Sequence, residues 1–229
     1  MRRFILIVIL ASLGAECDRD RFQTSRESMV QTQIVARGVA DTSTLRAMRS
    51  VPRHEFVPRE WIQHAYDDSP LLIGYEQTIS QPYIVAFMTE LIRPRRGQRV
   101  LEVGTGSGYQ AAVLAEIVDS VFTIELIQEL AETAAARLRQ LGYRNIVVRQ
   151  GDGYMGWPEH APFDAILVTA SAEEIPQPLV AQLKDGGKMV IPVGSVSEIQ
   201  SLTLVRKEGS NVVTESVLPV KFVPLIHPR

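Results

Sequence analysis

Short apolar runs recur along the chain from residue 99 onward, and glycine or polar residues separate them. Runs of this kind are typical of strands that are buried on both faces of a parallel sheet. They predict strands at 99–103, 121–124, 145–149, 163–169 and 188–192. Alternation of apolar and polar residues predicts an antiparallel pair at one edge of the sheet, at 201–206 and 212–218.

Helical spacing of apolar residues fills several of the remaining intervals. It predicts helices at 26–37, 41–49, 83–92, 109–118 and 178–183. Gly38 ends the first helix, and Asp41 or Thr42 caps the second. Together these elements predict an α/β fold with N-terminal helices and a doubly wound, mostly parallel, Rossmann-like sheet.

The segment after the strand at 99–103 carries the first candidate chemistry. Gly104, Gly106 and Gly108 alternate with other residues there, and glycines allow a tight turn and close approach of a ligand to the backbone. The G-x-G-x-G spacing differs from the G-x-G-x-x-G of dinucleotide-binding proteins. Glu102 would attract a cationic amino group and repel a pyrophosphate. The pattern therefore favours S-adenosylmethionine over NAD, with an ordinary structural turn as the remaining alternative.

Two later strand ends add to this prediction. Glu125 follows the run at 121–124, where the fold places a carboxylate on ribose hydroxyls. Gly151-Asp152-Gly153 follows the run at 145–149, and a side chain there could contact the edge of an adenine ring. Three strand ends with this spacing predict a class I S-adenosylmethionine-dependent methyltransferase domain.

Composition limits the classes of protein to consider. Among the 229 residues, 45% are hydrophobic and 22% are charged, which is ordinary for one globular domain. The formal net charge of -2 gives no basic footprint for nucleic acid. The single cysteine, Cys17, allows neither an internal disulfide nor a cysteine-based metal cluster, and we expect no metal site.

The N-terminal segment has the layout of a signal peptide. Arg2 and Arg3 precede an apolar run at 4–13 and then small residues, although Glu16 departs from the lipoprotein pattern that Cys17 would require. The apolar run is too short to span a bilayer as a helix.

Two residues near the middle of the chain allow a functional and a structural interpretation. Ser80 precedes the helix at 83–92, with Pro82 in the first turn, so its hydroxyl either caps that helix or faces a substrate carboxylate. His54 lies in a connector at 51–58 that prolines bracket, and it either acts in catalysis or holds that loop together.

Several motifs together resemble the protein-L-isoaspartate (D-aspartate) O-methyltransferases over most of the chain, from Met29 to the tail. Two of them, Thr78-Ile79-Ser80 and the Val-Pro-Leu tail at 223–225, are specific to that family. The glycine motif is shared by most methyltransferases, and further matches lie at 37–41, 51–58, 73–82, 151–153, 163–166 and 191–194. Two features depart from the family: Glu76, where a smaller residue or glycine is expected, and the signal-like N-terminus.

The resemblance implies roles for the site residues. Ser80 is the implied active-site hydroxyl, and the tail near Leu225 is implied to help hold the substrate backbone. The implied substrate contacts are Ile79, Ser80, Pro224 and Leu225. With the residues identified above, the expected cofactor contacts are Gln77, Thr78, Glu102, Gly104, Thr105, Gly106, Gly108, Glu125, Asp152 and Gly153.

The implied reaction is methyl transfer from S-adenosylmethionine to the free carboxylate of L-isoaspartyl residues, with D-aspartyl residues as a second candidate. The ester then closes to a succinimide, which begins repair of the damaged protein. An α-carboxylate has a reference pKa of about 3.3–3.7 and is already ionised, so the reaction needs no general base. The implied partners are isoaspartyl proteins and peptides. We expect a monomer without a nucleic acid or a stable membrane partner.

The chain is expected to form one methyltransferase domain at 27–229, after a signal-like or dispensable leader at 1–26. Because S-adenosylmethionine is made in the cytoplasm and is charged, we expect a cytoplasmic enzyme. Export to the periplasm through residues 1–15 is the alternative.

Two rival functions stay open. The first is a methyltransferase that acts on nucleic acid. Base-amino methylation usually carries a D/N-P-P-Y-type segment after the fourth strand, where this chain reads Thr169-Ala170-Ser171-Ala172. Cytosine C5 methylation needs a cysteine nucleophile, whereas Cys17 lies outside the predicted fold. The rival from another class is a cofactor-binding module without catalysis, which the departure at Glu76 and the N-terminus would allow. Methyl transfer to an isoaspartyl peptide discriminates among them.

Overall fold

The computed structural model describes residues 22–227, which form helices around one large sheet and one small hairpin. The helices are α1 (22–29), α2 (Thr42–Ser50), α3 (Pro82–Ile92), α4 (Tyr109–Ala115), α5 (Gln128–Gln140) and α6 (Gln177–Ala181). The strands are β1 (Leu71–Gly74), β2 (Gln77–Ile79), β3 (Arg99–Val103), β4 (Ser120–Glu125), β5 (Ile146–Gln150), β6 (Phe163–Val168), β7 (Leu183–Val193), β8 (Gln200–Glu208) and β9 (Asn211–Val220).

The large sheet has the strand order β5-β4-β3-β6-β7-β8-β9. Strands β3 to β7 pair in parallel, whereas β8 and β9 pair antiparallel at one edge. The strand order reverses at β3, which lies between β4 and β6, and open α/β sheets bind ligands at such a switch point. The doubly wound fold and the antiparallel edge pair are therefore confirmed.

Apolar residues of the central strands point alternately to two cores. Val100 and Leu167 face the core that also contains Met88 of α3, while Leu101 and Ile166 face a second core on the opposite side of the sheet. Both faces are covered, which explains why these strands read as continuous apolar runs rather than as alternating ones.

Among the helices and strands given above, two elements were not predicted from the sequence. Helix α5 buries Leu130, Ala131, Ala134 and Leu138 along one side. The other element is the hairpin of β1 and β2. One prediction is wrong in detail: a strand was expected at 188–192, but β7 already begins at Leu183, beside a register shift in its pairing with β6.

The N-terminal helices differ from the prediction mainly at their start. Residue 22 is already helical, four positions before the predicted start, and the Phe22 ring stacks on His54 with 4.0 Å between ring centroids. The chain continues through a π-helical segment, Val30–Ile34, and a 3-10 turn, Val35–Arg37. Gly38, with a φ of 91°, then ends the helix as predicted. Asp41 caps α2 by accepting a hydrogen bond from the Thr44 N–H.

His54 holds its connector in place. Its Nδ1 lies 2.7 Å from the Tyr66 hydroxyl, its ring stacks on that of Phe22, and the Tyr66 ring lies tilted beside it with 5.9 Å between centroids. The predictions for Arg2, Arg3 and Cys17 lie outside the described residues. Within residues 22–227, no helix is both long enough and apolar enough to cross a membrane.

The turn of the β1–β2 hairpin explains the expectation of a glycine at position 76. Tyr75 and Glu76 connect the strands with φ values of 52° and 57°, a left-handed conformation that side chains with a Cβ adopt at a cost.

We predict that Glu76→Gly raises the free energy of unfolding by about 0.5–1 kcal/mol, because glycine adopts this conformation without a clash. Urea denaturation measures the change. The matched control is Glu208→Gly in β8, which should lower stability because glycine weakens a strand. A Glu76→Gly protein no more stable than the parent would contradict the strain.

Candidate active site

Three neighbouring strands end at the same edge of the sheet. Val103 at the end of β3 pairs in register with Ile124 of β4 and Val168 of β6. The residues that follow, Gly104, Glu125 and Thr169, therefore emerge side by side. This edge brings together groups that are far apart in the sequence.

The glycine loop is tied to the end of β4 by the Glu125 carboxylate. One carboxylate oxygen accepts a hydrogen bond from the Gly106 N–H at 2.8 Å, and the other accepts from the Ile127 N–H at 3.0 Å. Gly104 and Gly106 have φ values of 97° and 51°, which only glycine adopts readily. Glu125 therefore fixes the shape of the loop.

Glu102 is a fully buried acid beneath this loop. One of its oxygens accepts from the Thr123 hydroxyl, which in turn accepts from the Thr105 hydroxyl at 2.6 Å. Its other oxygen, Oε1, is buried without a hydrogen-bond partner in the described part of the chain. Burial, with a smaller contribution from the nearby Glu125 charge, raises the pKa of Glu102 to about 8. A cationic ligand group at Oε1 would supply the missing partner and favour the ionised carboxylate.

The largest set of predicted cofactor residues lines one cleft, the cofactor cleft, which has a volume of about 610 Å³ including space open to solvent. Small-molecule sites typically have volumes of about 300–1,000 Å³. The predicted residues that line the cofactor cleft are Gln77, Thr78, Gly104, Gly106, Glu125, Gly153, Pro224 and Leu225.

Two further cavities adjoin the cofactor cleft. An inner cavity is lined by Ile79, Ser80, Glu102 and Thr105, among others. An outer groove is lined by Ser80 and by residues of the segment 218–223. Thr78 and Thr169 line all three spaces, so they mark the point at which the spaces meet.

Ser80 does not cap helix α3. The N-cap residue is Gln81, and no side chain of the described residues caps the helix, so the capping interpretation is wrong. Ser80 stands one position too early for its hydroxyl to reach the first free N–H groups of the helix. The backbone carbonyl of Ser80 accepts a hydrogen bond from Arg53, while its hydroxyl has no protein partner within residues 22–227. The hydroxyl is therefore available at the boundary of the inner cavity and the outer groove.

The apolar tail forms one wall of the cofactor cleft. The Ser171 N–H donates to the Val223 carbonyl at 2.8 Å, and the Leu225 N–H donates to the Ser171 carbonyl at 2.7 Å. These bonds hold the tail beside the end of β6. Pro224 and Leu225, which were predicted as substrate contacts, thus lie on the cofactor cleft rather than in the outer groove.

Two predicted cofactor residues lie outside all three spaces. Gly108 is the N-cap of α4, and a Cβ there would lie 3.2 Å from Leu138 of α5. The Asp152 carboxylate accepts a hydrogen bond from the Tyr154 N–H and contacts His227. The Asp152 carboxylate is therefore engaged by other residues of the protein in this arrangement.

The glycines at 104 and 153 are needed for protein packing as well as for ligand approach. A Cβ on Gly104 would lie 2.3 Å from the Thr169 hydroxyl oxygen, and a Cβ on Gly153 would lie 2.5 Å from the Val103 side chain. Both distances are too short for a real contact. The ligand explanation drawn from the sequence was therefore incomplete.

Thr169 is the main site residue that the sequence analysis missed. Its hydroxyl lies 2.7 Å from the Gly104 carbonyl, to which it donates, and it braces the glycine loop from the neighbouring strand. Its position at the end of the predicted strand at 163–169 was the available signal, since strand ends carry the site in this fold.

The comparisons with known proteins agree with this site. The family described as protein-L-isoaspartate(D-aspartate) O-methyltransferase matches residues 24–229. The chain is 54% identical to the protein-L-isoaspartate O-methyltransferase of Opitutus terrae, over 96% of this chain and 94% of that protein. It is 53% identical to that of Gloeobacter violaceus, over 86% of this chain and 96% of that protein.

Solved structures show the same relationship. A protein-L-isoaspartate O-methyltransferase structure superposes with a TM-score of 0.80 at 32% identity, covering 87% of this chain and 65% of that one. A structure from Plasmodium falciparum, described as a putative protein-L-isoaspartate O-methyltransferase in complex with S-adenosyl-L-homocysteine, has a TM-score of 0.74 at 25% identity and covers 90% and 98% of the chains. The chain belongs to the protein-L-isoaspartate(D-aspartate) O-methyltransferase family.

Proposed function

We propose that this protein transfers the methyl group of S-adenosylmethionine to the free carboxylate of L-isoaspartyl residues in damaged proteins, which initiates repair through a succinimide. It is an S-adenosylmethionine-dependent protein carboxyl O-methyltransferase. The observation that carries this proposal is the meeting of the cofactor cleft, the inner cavity and the outer groove at Thr78 and Thr169, with the Ser80 hydroxyl beside them.

The residues of the cofactor cleft and inner cavity fit S-adenosylmethionine. The unpartnered Oε1 of Glu102 suits the amino group, and the Glu125 carboxylate is positioned beside the glycine loop for ribose hydroxyls. When bound, the sulfonium supplies an activated methyl electrophile. Asp152 remains a proposed adenine contact, and the tail wall would exclude water from the cleft.

The outer groove suits an anionic substrate. Arg37 and Lys221 line it; Arg37 is paired with Asp68 at 2.8 Å, so Lys221 is the lining cation without an ion pair among the described residues. Because the isoaspartyl carboxylate is already ionised at neutral pH, the protein must orient it and keep water out rather than remove a proton. Ser80 is proposed to hydrogen-bond that carboxylate, and Ile79 with the tail at Pro224 and Leu225 to position the substrate backbone from the adjoining inner cavity and cofactor cleft.

The wider proposal concerns the molecule and its surroundings. We propose a cytoplasmic monomer that acts on isoaspartyl proteins and peptides, with D-aspartyl residues as the second candidate substrate and no nucleic acid or stable membrane partner. Residues 27–229 are proposed to be the catalytic domain. Phe22 stacks on His54, and Arg26 donates a hydrogen bond to the Tyr66 hydroxyl. The methyltransferase activity of a chain truncated to begin at Met29 should therefore be compared with that of a chain that begins at Phe22.

The proposed function is tested with labelled S-adenosylmethionine and two peptides that differ only in an isoaspartyl or a normal aspartyl linkage. We expect label on the isoaspartyl peptide alone. Equal labelling of both, or of neither, would reject the proposed substrate.

Glu102→Gln should change how stability depends on pH. In the folded protein the pKa of Glu102 is about 8, against an ordinary value of 4.5, so the folded state binds the extra proton between these values. Raising the pH through this window therefore destabilises the parent protein, by up to a few kcal/mol, but spares Glu102→Gln.

Urea denaturation without cofactor, between about pH 5 and pH 8, measures this difference. Glu129→Gln on the exposed start of α5 is the control and should keep the parent's pH dependence. Parallel curves for the parent and Glu102→Gln would refute a raised pKa.

Glu125→Ala should weaken S-adenosylhomocysteine binding by about 1.5–3 kcal/mol, because it removes a charged hydrogen-bonding group and releases the glycine loop. Calorimetry on a variant with a parent-like circular dichroism spectrum measures the effect. Glu129→Ala should bind as the parent does. Unchanged affinity in a folded Glu125→Ala protein would remove Glu125 from the cofactor site.

Ser80→Ala should lower kcat/KM for the isoaspartyl peptide by about 10- to 100-fold, the value of a hydrogen bond to a charged group, with little change in cofactor affinity. Initial rates with labelled cofactor measure it. Ser210→Ala in the exposed β8–β9 turn serves as the control. A parent-like rate for Ser80→Ala would show that the hydroxyl does not touch the substrate.

A further inference from the structure

Arg53 is a buried cation that joins separate parts of the chain behind the active site. Its side chain has no solvent exposure. Its Nε donates to the Ala65 carbonyl at 2.7 Å, and its Nη2 donates to the Ser80 carbonyl at 2.8 Å. One guanidinium therefore ties the connector at 51–58 directly to the backbone of the proposed active-site serine.

The same guanidinium also contacts the cofactor side of the site. Its central carbon lies 4.8 Å from the centre of the Tyr109 ring. Tyr109 is the first residue of α4, directly after the glycine loop, and it lines the inner cavity together with Ser80. Arg53 is thus in contact with both walls of the inner cavity, the one that carries the serine and the one that begins the cofactor helix.

The charge of Arg53 is not neutralised locally. Within residues 22–227 no carboxylate forms an ion pair with it, and its Nη1 is buried without a hydrogen-bond partner. Burial lowers the pKa of Arg53 to about 10, so it remains a cation at neutral pH.

A purely structural brace would not require this charge. A neutral donor could bond two carbonyls at a smaller desolvation cost, since burying an unpaired charge is expensive. An uncompensated positive charge behind Ser80 does, however, favour an anion at the Ser80 hydroxyl, because a buried charge is only weakly screened.

We propose that Arg53 is a positioning residue for methyl transfer, which fixes the backbone of Ser80 against the cofactor loop and favours a carboxylate at the Ser80 hydroxyl, where the inner cavity meets the outer groove. This inference rests on the proposed function. Arg53 acts through Ser80 and through its field, and it belongs to neither the cofactor cleft nor the outer groove.

Arg53→Met and Arg53→Lys test the proposal, with Arg206→Met as the matched control. Arg206 pairs with Glu215 on the exposed edge hairpin, far along the sheet from the site. For each protein, kcat and KM are measured with the isoaspartyl peptide, and the Kd of S-adenosylhomocysteine is measured by calorimetry.

In Arg53→Met we expect KM for the peptide to rise about tenfold or more, while the Kd of S-adenosylhomocysteine stays within about twofold. Arg53→Lys keeps the charge but lacks the planar fork that reaches two carbonyls. Its KM for the peptide should therefore lie between that of the parent and that of Arg53→Met. Arg206→Met should match the parent in every constant.

A structural brace would give a different result, because loosening the site lowers cofactor affinity and peptide turnover together. Losses of similar size in S-adenosylhomocysteine affinity and in kcat/KM for the peptide would overturn the proposal. Parent-like peptide kinetics in a folded Arg53→Met protein would also overturn it. If Arg53→Met does not fold, parent-like peptide kinetics in Arg53→Lys would overturn it. A parent enzyme that does not label the isoaspartyl peptide refutes the proposed function instead.

Discussion

The in-register parallel pairing of β3 with β4 and β6 determines where the functional groups lie. It brings Gly104, Glu125 and Thr169 to one edge of the sheet. Side chains alternate between the faces of a strand, so a shift of β3 by one residue would exchange Glu102 with its apolar neighbours Leu101 and Val103. Those neighbours are fully buried in the second core, which makes such a shift costly. The packing of the sheet thus protects the position of the acid.

Glu102 illustrates how stability is exchanged for binding in this protein. Its Oε1 is buried without a partner among residues 22–227, and burial holds the side chain protonated to unusually high pH. A ligand with a cationic group relieves this cost only in the complex, so part of the binding free energy comes from the strain of the free protein. Arg53, a buried cation, lies behind the same cavity through its contact with Tyr109.

The sequence predicts the parts of this structure that depend on local pattern. The apolar runs identify the parallel strands, Gly38 ends its helix, and the strand ends with Glu102 and Glu125 identify the cofactor edge. Contacts between distant segments are not visible in such patterns. The bond from Arg53 to the Ser80 carbonyl, the brace from Thr169 to Gly104 and the link from Asp152 to His227 each depend on the folded arrangement. The capping interpretation of Ser80 failed because a one-residue offset decides which residue is the N-cap.

The cofactor cleft is assembled from the hairpin residues Gln77 and Thr78, the glycine loop of the central strand and the tail at Val223–Ile226. These segments are far apart in the described chain. A molecule bound among them acts as a non-covalent cross-link. Local unfolding of the hairpin or of the tail must therefore first release the bound molecule. Ligand binding should therefore couple opening of the hairpin to opening of the tail.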